Sequence, residues 1–195
     1  MDITSLWRST SSAAIRGFTL VEMLVVMAIF VILTTVTLAN NSQFGGRITL
    51  ETLAYDIALS VRQAQVYGIA VQRFGDTGSD FGRGYGIHFE TASPATYQIF
   101  ADTFSGDGIY NDGELVRETT LRGGYRIVDL CIRSNGTETC GIVELDILYK
   151  RPEPDAYIRA NSGAQLYEAG RIILESPRTD RKSILIEVAG QIAVQ

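Results

Sequence analysis

Hydrophobic and polar residues are distributed along this chain in successive regimes. From Phe18 to Ala39 the sequence FTLVEMLVVMAIFVILTTVTLA is apolar throughout, with Glu22 as its only charge. At a rise of about 1.5 Å per residue, a helix of this length spans a hydrocarbon core about 30 Å thick. Residues 18–39 are therefore predicted to form a helix able to cross a bilayer. Farther on, Leu50, Leu53, Ala54, Ile57, Ala58, Val61 and Ala64 recur at helical spacing, which predicts an amphipathic helix over 47–72 with this stripe turned to a core. Glu51, Asp56, Arg62 and Gln65 fall off the stripe and are expected to face solvent or a neighbouring molecule. Between the two patterns lies Asn40-Asn41-Ser42-Gln43-Phe44-Gly45-Gly46. Each glycine costs a helix about 1 kcal/mol relative to alanine, so a hinge or a melted turn is expected there.

From residue 73 the period changes from helical to alternating. Short runs such as 85–90, 96–100 and 125–128 are punctuated by Gly, Pro and Asp, with further runs at 114–121, 141–149, 171–175 and 184–194. About seven or eight short strands after one long helix predict an α+β domain, a helix packed on an antiparallel sheet or a two-sheet sandwich. Lys150-Arg151-Pro152-Glu153-Pro154-Asp155 reads as a rigid exposed bend, and Gly190 as the turn of a closing hairpin.

A carboxylate near the start of an apolar helix is costly unless it snorkels or meets a cation, which makes Glu22 a functional-site candidate. The residues around it, Gly17-Phe18-Thr19-Leu20-Val21-Glu22 followed by the apolar run, resemble the prepilin processing site of type IV pilins and type II secretion pseudopilins. An ordinary signal peptide would place a small-x-small site after its apolar core, whereas here the glycine precedes it. The resemblance implies that prepilin peptidase cuts after Gly17 and methylates the new amino terminus at Phe18. It also implies that Glu22 pairs with the amine of a neighbouring subunit in a filament. Phe18 and Glu22 are four residues apart, on one helical face, so a pair within a single chain is the alternative. The β-rich remainder resembles the minor pilins and H-type pseudopilins.

That resemblance divides the chain into a leader at 1–17, a transmembrane and assembly helix at 18–39, a hinge and amphipathic helix at 40–72, and a β-rich head at 73–195. The whole sequence carries 17 basic and 22 acidic side chains, a formal net charge of −5. Loss of the leader removes Arg8, Arg16 and Asp2 and leaves about −6. Such a balance disfavours general affinity for nucleic acid. The basic leader suits a cytoplasmic amino terminus, with the acidic head beyond the inner membrane.

Export would place Cys131 and Cys140 in an oxidising compartment, and the eight residues between them centre on Asn135-Gly136, a hairpin turn pair. A disulfide stapling that hairpin is expected, two free thiols being the alternative. The loop from Thr103 to Glu114 aligns with an EF-hand-type calcium loop. Asp107 takes the fifth position, Gly108 the sharp turn, Ile109 the backbone carbonyl and Glu114 the twelfth, with Asn111 and Asp112 nearby. Thr103 and Ser105 depart from the pattern at the first and third positions, and turn chemistry alone also explains an Asp-Gly, Asn-Asp-Gly loop between strands. His88, the lone histidine, sits in an alternating strand and is expected at the surface or half-buried. No nucleophile elbow or paired-histidine spacing accompanies it.

These readings converge on a non-enzymatic structural subunit, a minor pilin or pseudopilin. Its partners would be other pilins or pseudopilins through the amino-terminal helix, the prepilin peptidase, and the inner membrane before assembly. No cofactor is expected beyond the candidate Ca2+. Two alternatives stand beside it. One is a DNA-capturing minor pilin that would use Arg171, Arg178, Arg181 and Lys182 as phosphate contacts. The other is a ligand-binding domain held by a simple membrane anchor.

Overall fold

The structure is a computed structural model that describes residues 17–70, 83–103 and 106–195. The predicted leader, apart from Gly17, lies outside the described residues, as do 71–82 and Phe104-Ser105. The chain divides into two compact units, one ending at Ser42 and one running from Gln43 to Gln195.

One helix, α1 (Leu20–Ile69), is found among the described residues. Its backbone is helical through 40–46, where the sequence predicts a hinge. Two glycines at about 1 kcal/mol each do not outweigh the cooperativity of a helix already propagating on both sides. In the apolar part the hydroxyls of Thr34, Thr35 and Thr37 donate to the carbonyls of Phe30, Val31 and Leu33, one turn back, at 2.6, 2.7 and 3.0 Å. These polar groups are thereby satisfied within the helix, as a nonaqueous setting requires.

In the larger unit the predicted stripe is the buried face. Leu50, Ala54, Ile57, Val61 and Ala64 are all buried and join one hydrophobic core with both sheets. Among the described residues ten strands follow: β1 (Gly84–Glu90), β2 (Thr96–Asp102), β3 (Leu115–Thr120), β4 (Arg126–Ser134), β5 (Thr137–Cys140), β6 (Glu144–Tyr149), β7 (Ala156–Ala160), β8 (Ala169–Glu175), β9 (Arg181–Glu187) and β10 (Ile192–Val194). They form two antiparallel five-stranded sheets, in the orders β3-β2-β1-β6-β7 and β10-β9-β8-β4-β5. The first sheet gives Ile87, Phe89, Ile99, Leu145, Ile147 and Ile158 to the core, and the second gives Leu130, Ile172, Leu174, Ile184 and Ile186. The α+β architecture with a sheet-rich head is therefore as the alternating pattern predicts. β5 and β7 are additions to it: β5 is exposed along its whole length, so no apolar alternation announces it.

Gln65 differs from its expected place. It is buried, and its amide nitrogen donates to the carbonyls of Pro154 at 3.1 Å and Gly190 at 3.5 Å. A polar side chain off the apolar stripe is tolerated in the interior because the two turns it meets present carbonyls in need of donors. One turn later Gly68 packs against the β6 backbone so closely that a Cβ would stand 2.3 Å from the Tyr149 carbonyl oxygen. Helix propensity favours Gly68→Ala by about 1 kcal/mol. The contact with backbone, which cannot rotate away, predicts the reverse: Gly68→Ala lowers the thermal midpoint of the purified protein, as followed by circular dichroism.

Candidate functional site

The segment from Gly106 to Glu114 lies over the outer face of the first sheet. Its carboxylates hold the loop's own backbone. Glu114, fully buried, accepts the N–H of Thr103 at 2.7 Å on one oxygen and that of Asn111 at 3.0 Å on the other. Asp107 accepts the Ile109 N–H at 3.0 Å, and Asn111 donates its amide to the Ile109 carbonyl at 3.0 Å. Asp112 is exposed. Both oxygens of Glu114 and the Ile109 carbonyl, three donors of the calcium pattern, are thus engaged within the loop. Among the described residues, Asp107, Asp112 and Glu114 do not bring three carboxylates together.

Underneath it lies a buried polar pair that sequence reasoning missed. His88 Nδ1 and Asp146 Oδ1 are 2.7 Å apart, and the same oxygen accepts the Tyr110 N–H at 3.3 Å. The Tyr110 ring covers the imidazole at 5.0 Å and Phe100 at 5.7 Å. His88 is therefore buried rather than at the surface or half-buried, because β6 supplies an acceptor and the loop supplies a roof. The available signal was an aspartate inside the apolar run Leu145-Asp146-Ile147, at a parity that faces away from the core. Asp102, also buried, accepts the Gly108 N–H at 3.1 Å. Burial, and next the charge of Glu114, push its carboxyl above the usual range.

On the second sheet Cys131 and Cys140 are direct cross-strand partners on β4 and β5 and form a disulfide. Asn135 and Gly136 turn the hairpin with φ of 51° and 75°, the left-handed pair that a tight turn of this hand requires. Their N–H groups donate to the two oxygens of Glu168 at 3.0 and 3.2 Å. Asp129 lies close to both sulfurs, forming a trio of ligand-type residues. Since the sulfurs are bonded to each other, the trio offers no thiolate.

Two of the four basic residues of the DNA alternative are engaged by carboxylates. Arg171 donates to Glu138 at 3.1 Å and to Gln195 at 2.8 Å. Arg181 pairs with Glu175 at 2.8 Å, and Arg126 holds the other oxygen of that carboxylate at 2.7 Å. Arg178 lies in the turn between β8 and β9, and Lys182 lies on β9. The hydrogen bond from Arg126, and next that from Arg181, hold the Glu175 carboxyl below the usual range.

The remaining site candidates stand at the start of α1. Gly17, Phe18 and Thr19 precede the helix in non-helical backbone, and the Phe18 side chain is exposed. Glu22 occupies the first turn and is exposed as well. From Leu20 to Leu38, 19 residues with mean hydropathy 2.5, no side chain is buried. This helix is long and apolar enough to cross a membrane. Residues 13–38 match the family model of the prokaryotic N-terminal methylation motif. The chain carries a type IV pilin signature. No curated protein and no solved structure matches it. The methylation motif includes Gly17, Phe18 and Glu22 and ends at Leu38, the last residue of the apolar span. Type IV pilin-like chains of this kind are processed by prepilin peptidase and are in general structural proteins.

Removing the disulfide with Cys131→Ser and Cys140→Ser together should lower stability by about 2–4 kcal/mol, read from denaturant midpoints, since it opens a short loop in the unfolded chain. Glu175 has its carboxyl depressed in the folded state, so its contribution is present above the ordinary glutamate value of 4.5 and lost as pH falls through the lower folded value. Glu175→Gln should therefore lower stability at pH 7 and flatten the further loss on acidification below about pH 4.5, which thermal melts across pH 3–7 would measure.

Proposed function

We propose that this chain is a non-enzymatic minor subunit of a type IV pilus or a type II secretion pseudopilus. It is made as a single-pass precursor in the inner membrane, cut between Gly17 and Phe18 by prepilin peptidase, methylated on Phe18, and drawn into a filament through α1. The observation that carries this reading is the methylation motif set on a helix whose apolar circumference is uncovered from Leu20 to Leu38. At about 25 cal/mol per Å2 of apolar surface, so long an exposed helix is untenable in water. Lipid covers it first, and the helices of neighbouring subunits cover it afterwards.

Glu22 gives the assembly its register. Cleavage creates an amine at Phe18, and a carboxylate in the apolar core of a filament demands such a cation from an adjoining chain. Removing one partner of a buried pair typically costs about 3–5 kcal/mol, enough to favour one axial offset between subunits over others. The head lies outside the inner membrane, where its disulfide persists. The subunit performs no reaction of its own; the chemistry belongs to the peptidase.

Intact mass and amino-terminal sequencing of the protein, taken from membranes of a host with prepilin peptidase, test this. The expected product starts at methylated Phe18 and is absent from Gly17→Ala. An uncut chain, or one cut after the apolar run, would refute the reading.

A further inference from the structure

Thr19 makes both bonds that define the beginning of a helix. Its carbonyl accepts the Met23 N–H at 3.1 Å, the first intrahelical bond, and its hydroxyl oxygen accepts the Glu22 N–H at 3.2 Å. Thr19 is thus the N-cap, with Glu22 at the third helical position, the Thr-x-x-Glu spacing of a capping box. The cap falls immediately after Phe18, so the Gly17–Phe18 peptide bond stays in non-helical backbone while the helix begins at Leu20.

This placement matters for a chain that must be cut there. In an apolar setting an unsatisfied N–H is costly, and an uncapped helix lowers that cost by winning further turns toward its amino terminus. Residues 17 and 18 would then enter the helix, with their backbone groups turned into its hydrogen-bond ladder. A peptide bond held in a helix cannot pair with an enzyme cleft as an extended strand can. We infer that Thr19 is a positioning residue for processing: by ending α1 at Leu20 it holds the Gly17–Phe18 bond open to the peptidase. The inference rests on reading that bond as the cleavage site. The step itself is hydrolysis: water adds its hydroxyl to the Gly17 carbonyl carbon, the C–N bond to Phe18 breaks, and the Phe18 nitrogen takes the proton.

The test compares cleavage rates of the full-length chain in membranes containing prepilin peptidase, for wild type, Thr19→Ser, Thr19→Asn and Thr19→Val. Side-chain recognition by the enzyme would group threonine with isosteric valine, or with serine alone. Capping groups it with serine and asparagine. The expected result is cleavage within about threefold of wild type for Ser and Asn, and about five- to thirtyfold slower for Val, the factor that loss of a cap corresponds to. In detergent micelles, the Cα chemical shifts of Gly17 and Phe18 should move toward helical values in Thr19→Val alone. Equal rates for Val and wild type, Asn as slow as Val, or unmoved shifts would overturn the inference while leaving the cleavage site intact. A wild-type chain that is not cut at all would overturn the reading of the site, and the inference with it.

Discussion

A helix whose apolar side chains point outward in every direction has to be covered by something other than water, and this requirement governs the amino-terminal part of the chain. From Leu20 to Leu38 the backbone satisfies itself through the helical ladder, and the threonine hydroxyls fold back on carbonyls of the preceding turn. Only the side-chain surface is left without a partner. Leu20, Leu24, Phe30 and Leu33 are each exposed by 60% or more. Lipid and packed apolar helices meet that requirement equally well, because both lack water. A segment of this kind can therefore leave one for the other at modest cost, provided its single charge is met in both. In the proposed function Glu22 is where the two environments are told apart: a carboxylate can snorkel to the headgroups of a membrane, whereas within an apolar bundle it needs a cation.

The larger unit solves the opposite problem, that of keeping apolar surface in. The same helix, beyond residue 46, turns a narrow stripe of Leu50, Ala54, Ile57, Val61 and Ala64 to a core shared with two sheets. Two alanines, Ala54 and Ala64, stand among the larger residues of this stripe, and Gly68 meets the β6 backbone directly, so the helix lies close to the strands. Elsewhere the fold is tied by polar links at its margins. The 106–114 loop is held by Glu114 and Asp102, β4 and β5 by the disulfide, and β4, β8 and β9 by Arg126 and Arg181 on Glu175. These links hold short loops and strand ends in place.

Much of this was legible before the structure. The apolar run, the amphipathic stripe and the cysteine hairpin rely on local pattern, on residues close in sequence whose spacing states their geometry. What was not legible depends on register and on distant partners. His88 and Asp146 are 58 positions apart and become a pair only when β1 and β6 align. Gln65 looks like a solvated residue until the turns at Pro154 and Gly190 reach it. At 40–46, where a hinge or a melted turn is expected, the backbone is helical: weak local propensity is set against the cooperativity of a helix strong on both sides. The calcium-like loop shows how a ligand spacing and a turn can share residues, since the Asp107 and Glu114 side chains that match the pattern accept the loop's own N–H groups and the Asn111 side chain donates to its Ile109 carbonyl.

The account stands or falls on whether α1 exchanges lipid for other subunits with Glu22 as the sensor of the change. The direct measurement is the partition of wild-type protein and Glu22→Val between inner membrane and sheared filaments in a host that assembles them, each normalised to processed protein. The account predicts that both are processed, that wild type is found in both fractions, and that Glu22→Val stays in the membrane. Glu22→Val entering filaments in the wild-type proportion would contradict it.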